Sequence, residues 1–397
     1  MGFQVNVVMI LIVLSVLLQT NGFSLQTNSG NQVYSKYCRS KVLRQYSRVG
    51  TSFLDIDKEA DRKNRRTIYT SEDWKKHRLS NRYFSTLLKM PRSLILRGIS
   101  RQVLGVSLWS LVVVVYNVMV ENGIIDSITR PYLGFQLPKL SFPSLPISLI
   151  SPSLGLMLMF RTNAAYDRWI KARLMWASIY SKSIDIIRAG TLWIDNSDLQ
   201  ASLVRYVTAY SRSIRWYLNY SGNEKENDIE LVREDLRNVL NPAELDDLLT
   251  SNNRIQHILL KLSELVVHAK QATPLHVHME KLVCDLNDLV NSCEMIFSSP
   301  IPLIYTRHSL RFLLLWLLAV PMALYHDMRP LPRMNMMFVI PSITFIVSTL
   351  LFGIEELGVQ IEEPFSMLPL GSICQKIHIQ GENILKQRKL TWDGNKI

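Results

Sequence analysis

Four long runs of apolar residues predict helices that cross a membrane. They cover Val103–Val120, about 144–160, Leu310–Tyr325 and Met336–Gly353. The first holds eighteen residues without a charge, enough to span most of a bilayer. Ten residues separate the last two runs, which therefore form a hairpin. The expected fold class is an all-α membrane protein with four transmembrane helices.

The second run differs from the others because it contains Pro146, Pro152 and Gly155. Proline removes a backbone donor, and a helix surrounded by lipid has no other group to satisfy the freed carbonyl. We therefore expect this segment to lie inside a bundle or to line a pore. We also expect the helix to break at these residues and to expose helix-end N–H groups.

A shorter apolar run, Val5–Leu18, precedes a stretch rich in Ser, Asn and Gln that has no acidic residue to about Val49. The run has the length of a signal-peptide core, and the stretch has the composition of a transit peptide. Together they resemble the bipartite leaders of algae with complex plastids. The alternative for the run is a fifth membrane helix.

Positive charge is concentrated before the first membrane helix. Hydrophobic residues make up 48% of the chain and charged residues 20%, and Lys plus Arg exceed Asp plus Glu by 45 to 33. Residues 36–101 alone contain 18 Lys or Arg against 6 Asp or Glu. A basic flank stays on the side from which insertion starts. With four spans, the block 161–309 and the C-terminal tail share that side.

The block 161–309 has the sequence pattern of a soluble helical domain. Asn241, Pro242 and Glu244 form a helix-start signature, and Thr273-Pro274 starts another helix. The acidic patch Glu224–Asp235 is typical of a solvated loop and helix start, which we favour over a metal site.

Enzyme motifs are absent from the sequence. It has no glycine-rich phosphate loop, no GxSxG and no HExxH, and its four cysteines show no CxxC spacing. His276 and His278 would point to different faces of a helix. The basic and aromatic residues at 74–101 precede a membrane span, which favours lipid headgroups over nucleic acid. We expect no enzyme activity, cofactor, bound metal or nucleic-acid partner.

Three sequence motifs, in the order expected along the chain, resemble those of the bestrophin family of anion channels. They are FRTNAAYDRW from Phe160 to Trp169, IPLIYT from Ile301 to Thr306, and GIEELGVQIEEPF from Gly353 to Phe365. The resemblance covers about residues 74–375. It implies a homopentamer that conducts chloride and other monovalent anions, with the second membrane helix lining a narrow neck.

The resemblance assigns Pro152, Leu156 and Phe160 to the neck and Ile301 to a second narrow aperture. The neck residues are four apart, so one helix face would present them as three successive rings in an assembly. Core packing is the alternative role. An apolar neck favours weakly hydrated anions, because removing water from an ion is costly. The positive edge of a phenylalanine ring and the helix-end N–H groups would assist.

The acidic motif contains Glu355, Glu356, Glu362 and Glu363, which repeat at seven-residue spacing along one side of a helix. We interpret these carboxylates as partners of Arg161, Arg168 or Arg173 that join the membrane and soluble parts. Calcium gating is disfavoured because Ca²⁺ takes six to eight oxygens and no further carboxylate follows Pro364 in the motif.

These interpretations divide the chain into seven segments. They are 1–22, signal-like; 23–50, transit-like; 51–102, basic; 103–160, transmembrane helices 1 and 2 with the neck; 161–309, soluble; 310–353, transmembrane helices 3 and 4; and 354–397, acidic motif and tail. The expected function is anion flux that balances charge across a thylakoid membrane. The alternatives are a bicarbonate channel, a non-conducting membrane scaffold, and a location in the plasma membrane.

Overall fold

The computed structural model describes residues 68–78, 93–124, 138–220, 226–330 and 332–394. Within these ranges the secondary structure is helical. The helices are α1 Ser71–His77, α2 Leu94–Glu121, α3 Leu145–Trp193, α4 Ser197–Tyr220, α5 Glu226–Arg237, α6 Pro242–Thr250, α7 Arg254–His268, α8 Thr273–Ser298, α9 Leu303–Asp327, α10 Arg333–Glu362 and α11 Leu370–Gly394. The leader segments 1–22 and 23–50, with the alternative fifth membrane helix, lie outside the described residues.

Four segments are long and apolar enough to cross a membrane. They lie in α2, in α3, in the stretch Thr273–Asp327 that includes α9, and in α10. The predicted all-α fold class with four candidate membrane helices is confirmed. The predicted helix start at Asn241 is also present, because its side chain and that of Glu244 form a reciprocal capping box with Pro242 in the first turn.

The described chain divides into two compact units. The first contains residues 93–124, 138–160, 304–330 and 332–357, and the second contains 68–78, 161–220, 226–303 and 358–394. α3, α9 and α10 are continuous in sequence across the unit boundaries.

Apolar packing and a few polar bonds hold the first unit together. Its main cluster of buried side chains comes from all four membrane helices: Ile99, Val103, Val106, Leu154, Leu158, Leu313, Leu317 and Phe352. The Trp109 indole N–H donates to the Leu318 carbonyl at 3.0 Å. Ser110 and Thr344 lie 3.2 Å apart, and the Thr344 hydroxyl donates to the Ile340 carbonyl. Because a hydroxyl has one proton, Ser110 is the donor in the bond between α2 and α10.

The second unit is organised around α4, which packs against α7 and α11. Buried residues such as Trp176, Tyr210 and Leu286 form its core. A β-carbon at Gly381 would lie 2.9 Å from Val204 and 3.1 Å from Ile187, so a side chain there would force α11 away from α4 and α3.

One carboxylate of the acidic patch is part of this unit's framework. Asp235 accepts bonds from Arg212 at 3.2 Å, Arg215 at 2.8 Å and the Trp216 indole at 2.8 Å. The Asp235 side chain is 22% exposed and that of Arg212 is 10% exposed. The expectation of a solvated position is wrong for Asp235, because α5 turns this carboxylate toward two arginines of α4.

Candidate functional site

The three predicted neck residues lie on one exposed face of α3. Leu156 and Phe160 are 51% and 56% exposed, and Pro152 is also exposed. The intervening Leu154 and Leu158 are 2% and 4% exposed because they pack in the core of the first unit. One face of α3 therefore packs in the core, and another face exposes apolar residues that are four apart in the sequence.

The helix that carries this face is continuous, which corrects the expectation of a broken segment. Pro146 is the second residue of α3, where proline is well tolerated, and Pro152 lies within the helix. Pro152 removes the usual helical donor to the Ser148 carbonyl and creates no free helix-end N–H. The expected helix-end N–H groups are therefore not present at Pro152 or Gly155, and any contribution at the start of α3, beside Pro146, stays a prediction.

Two side chains of α9 fix the position of α3 in the first unit. The Tyr305 hydroxyl donates to the Met157 carbonyl at 3.2 Å, and the Trp316 indole donates to the Ile147 carbonyl at 3.4 Å. These bonds bracket the stretch that carries Pro152 and Leu156. Tyr305 belongs to the IPLIYT motif, so this motif has a direct structural role beside α3.

The predicted aperture residue, Ile301, is placed differently from the neck residues. Its side chain is 8% exposed, and its backbone N–H donates to Glu362 Oε1 at 3.2 Å. It lies between Pro300 and Pro302, which have no N–H. The burial of this side chain does not support an aperture role, which stays a prediction.

The four glutamates of the acidic motif differ in burial and in their position on the helix. Glu355 is buried and Glu356 is half-buried, both on α10. Glu362 is the last residue of α10, and Glu363 is exposed beyond its end. Glu363 therefore does not continue the expected helical alignment. Arg161, one of the expected partners, is a fully enclosed side chain of the second unit.

Arg168 pairs with Glu362 through the backbone. Its Nε donates to the Glu362 carbonyl at 3.1 Å, and its two terminal nitrogens donate to the carbonyls of Ser299 at 2.6 Å and Ile296 at 2.7 Å. Residue 300, the usual helical donor to the Ile296 carbonyl, is a proline and has no N–H. The guanidinium thus caps the C-terminal ends of α8 and α10, where positive charge is favourable.

Two further residues considered in the sequence analysis, Arg173 and His278, lie beside tryptophan rings. Arg173 lies over the Trp169 ring, 5.9 Å from its centroid, and His278 meets the edge of the Trp193 ring. In the parts of the chain that the structure describes, no group of three or more His, Cys, Asp or Glu side chains could hold a metal ion.

Comparison with protein families identifies the chain. A family model described as "Bacterial/Fungal Bestrophin protein" matches residues 73–383. The chain belongs to the bestrophin family. The resemblance drawn from the three motifs is confirmed, and a bestrophin with four long apolar helices is an integral membrane protein.

Several curated relatives are named as channels. "Voltage-dependent chloride channel 1, chloroplastic" of Arabidopsis thaliana is 29% identical over 347 residues, which cover 86% of this chain and 79% of that protein. "Voltage-dependent anion channel-forming protein YneE" of Escherichia coli strain K12 is 25% identical over 248 residues, which cover 60% and 76%.

Solved structures share the fold. A crystal structure of a bacterial bestrophin homologue from Klebsiella pneumoniae superposes with a TM-score of 0.58 at 21% identity, covering 72% of this chain and 98% of that one. A second crystal structure, of a mutant described as a membrane protein, gives a TM-score of 0.60 at 21% identity, covering 72% and 98%. These similarities concern the fold alone.

Proposed function

We propose that this bestrophin is an anion channel that conducts chloride passively through a hydrophobic neck formed by five copies of the chain. The observation that carries the proposal is the exposed apolar face of Pro152, Leu156 and Phe160 on α3. Copies arranged around one axis would turn this face into successive rings. The chloride and anion channels among the relatives support the same reading.

A neck of this composition selects anions by the cost of removing water. Iodide, bromide and nitrate hold their water less strongly than chloride and therefore enter an apolar constriction more easily. The Phe160 ring edge carries partial positive charge and can face an anion, whereas a cation gains no such contact. Because α3 is continuous, its backbone supplies no donor at Pro152, and dehydration is the main source of selectivity.

The proposed location is the thylakoid membrane, with the second unit in the stroma. There the channel would carry the anion flux that offsets charge moved by light-driven proton pumping. Two relatives from Arabidopsis thaliana named as chloroplastic support a plastid location, as does the leader-like composition of residues 1–50.

Recording from the purified full chain in planar bilayers tests the proposed function. We expect current whose reversal potential follows the chloride gradient and shows higher permeability to iodide than to chloride. Bilayers treated with protein-free detergent are the control. A bicarbonate permeability above that of chloride would change the proposed substrate, and an absence of current would leave the chain as a membrane scaffold.

The number of subunits in the assembly is tested by measuring the mass of the purified complex. A single subunit with four membrane helices and an exposed apolar face cannot enclose a path, so we expect a detergent-corrected mass of five subunits by light scattering or native mass spectrometry. The 45.8 kDa chain makes the possible oligomers easy to distinguish. A stable monomer that still conducts would contradict the shared neck.

A further inference from the structure

Two membrane helices of the first unit carry arginines at one end of an exposed leucine face. On α2 the exposed residues of this face include Arg97, Arg101, Leu104, Leu108 and Leu111, and on α9 they include Arg307, Leu310, Arg311 and Leu314. The α2 set recurs at intervals of three or four residues, and on α9 both Leu310 and Arg311 lie three or four residues from Arg307 and from Leu314, as expected for one side of a helix. Such a face combines a surface for acyl chains with cations that reach headgroup level.

The two pairs of arginines lie at matching levels. α2 and α9 run parallel, because Trp109 bonds to Leu318 and, further along both helices, Val114 clusters with Tyr325. Arg101 precedes Trp109 by about 12 Å of helix, and Arg311 precedes Leu318 by about 10 Å, at about 1.5 Å per residue. Arg97 and Arg307 lie about one helical turn nearer the N-terminus than Arg101 and Arg311. The four arginines therefore lie at two levels of these helices, at the same end of the unit.

The local charge at this end is positive. α2 has no carboxylate before Glu121, and α9 has none before Asp327, at the opposite ends of these helices. His308 adds a titratable group on α9. The helix α10 brings buried Glu355 and half-buried Glu356 beyond Phe352, which packs with the same core. At this end, α2 and α9 thus contribute four arginines and α10 contributes two carboxylates, one of which is buried.

We propose that Arg97, Arg101, Arg307 and Arg311 bind the acidic headgroup of an anionic membrane lipid, whose acyl chains lie along the leucines of α2 and α9. An acidic lipid satisfies both chemistries at once, since guanidinium groups bind phosphate or sulfonate oxygens and the leucines contact hydrocarbon. A second copy of the chain would cover the leucines but would need an acidic surface opposite the arginines. The inference depends on membrane insertion and is independent of conduction.

Lipid titration of the delipidated full chain in detergent tests the site. Dioleoylphosphatidylglycerol and dioleoylphosphatidylcholine are added separately, and bound lipid is counted by native mass spectrometry. We expect preferential retention of phosphatidylglycerol. In the double variants Arg97→Gln/Arg101→Gln and Arg307→Gln/Arg311→Gln, its affinity should fall about tenfold or more, given the attraction of each cation to anionic lipid.

Two variants control for charge and folding. Arg329→Gln removes an arginine beyond the opposite end of α9, where it donates to Ser141, and should leave the lipid preference unchanged. Arg97→Lys/Arg101→Lys keeps the positive charge needed for insertion and should retain most of the preference. Equal binding of the two lipids, an unchanged preference in both Gln variants, or a change of oligomer mass without loss of lipid would each overturn the proposal.

Discussion

Truncation of Phe160 to alanine is expected to raise single-channel conductance several-fold and to bring the iodide-to-chloride permeability ratio close to one. Five side chains are shortened at once in the proposed pentamer, so the ring that forces an ion to lose water becomes wide enough for hydrated anions. Leu156→Ala should act in the same direction. Reversal potentials under biionic conditions measure the ratio, and single-channel recordings measure the conductance.

Leu158→Ala is the matched control because it removes the same side chain as Leu156→Ala, two residues along the same helix. Leu158 is packed in the core, so its loss should cost about 2–5 kcal/mol of stability and leave the permeability ratios of the surviving channels unchanged. Leu156→Ala removes a half-exposed side chain and should cost less. Wild-type ratios in Phe160→Ala would place the selective constriction elsewhere.

The second large effect is expected on the stability of the second unit. Arg168→Ala removes the donor for three carbonyls at the ends of α8 and α10, one of which has no alternative helical donor because of Pro300. Hydrogen bonds from a charged group contribute about 1.5–3 kcal/mol each, and they are not fully additive, so we expect a total loss of about 3–5 kcal/mol. Thermal unfolding of the purified protein measures it.

Arg188→Ala provides the comparison on the same helix. Arg188 is 62% exposed and makes one bond to Asp185, three residues away, so its removal should cost less than about 0.5 kcal/mol. Arg168→Lys keeps the charge but loses the planar fork that reaches separate carbonyls, and we expect it to recover only part of the stability. Equal unfolding midpoints for Arg168→Ala and Arg188→Ala would show that the three bonds contribute little.

Features that depend on local sequence were predicted well. The membrane helices follow from uncharged apolar length, and the start of α6 follows from Asn241, Pro242 and Glu244 within four residues. The face with Leu156 and Phe160 exposed and Leu158 buried follows from helical periodicity once α3 is known to pack on one side.

Features that depend on distant residues were predicted only in part, since Arg168 does meet Glu362, but through the backbone carbonyl and not the expected carboxylate. Arg168 bonds to a carbonyl 128 residues away, and a sequence pattern does not record which backbone groups are free at that distance. The prolines at 300 and 302 were the available signal, since each removes a backbone donor next to a helix end. The continuity of α3 through Pro152 was missed because an internal proline tends to break a helix. Packing against neighbouring helices in a membrane protein can override that tendency.

Hydrogen bonds from hydroxyl groups within single membrane helices affect how the chain is inserted into the membrane. Ser107, Ser151, Ser342, Thr344 and Thr349 each donate to a carbonyl four residues earlier on the same helix. The helices α2, α3 and α10 can therefore leave the insertion machinery with these donors already satisfied, before they meet another helix. Biosynthesis can proceed helix by helix, and the bond from Ser110 to Thr344 forms when α2 and α10 later come together in the lipid.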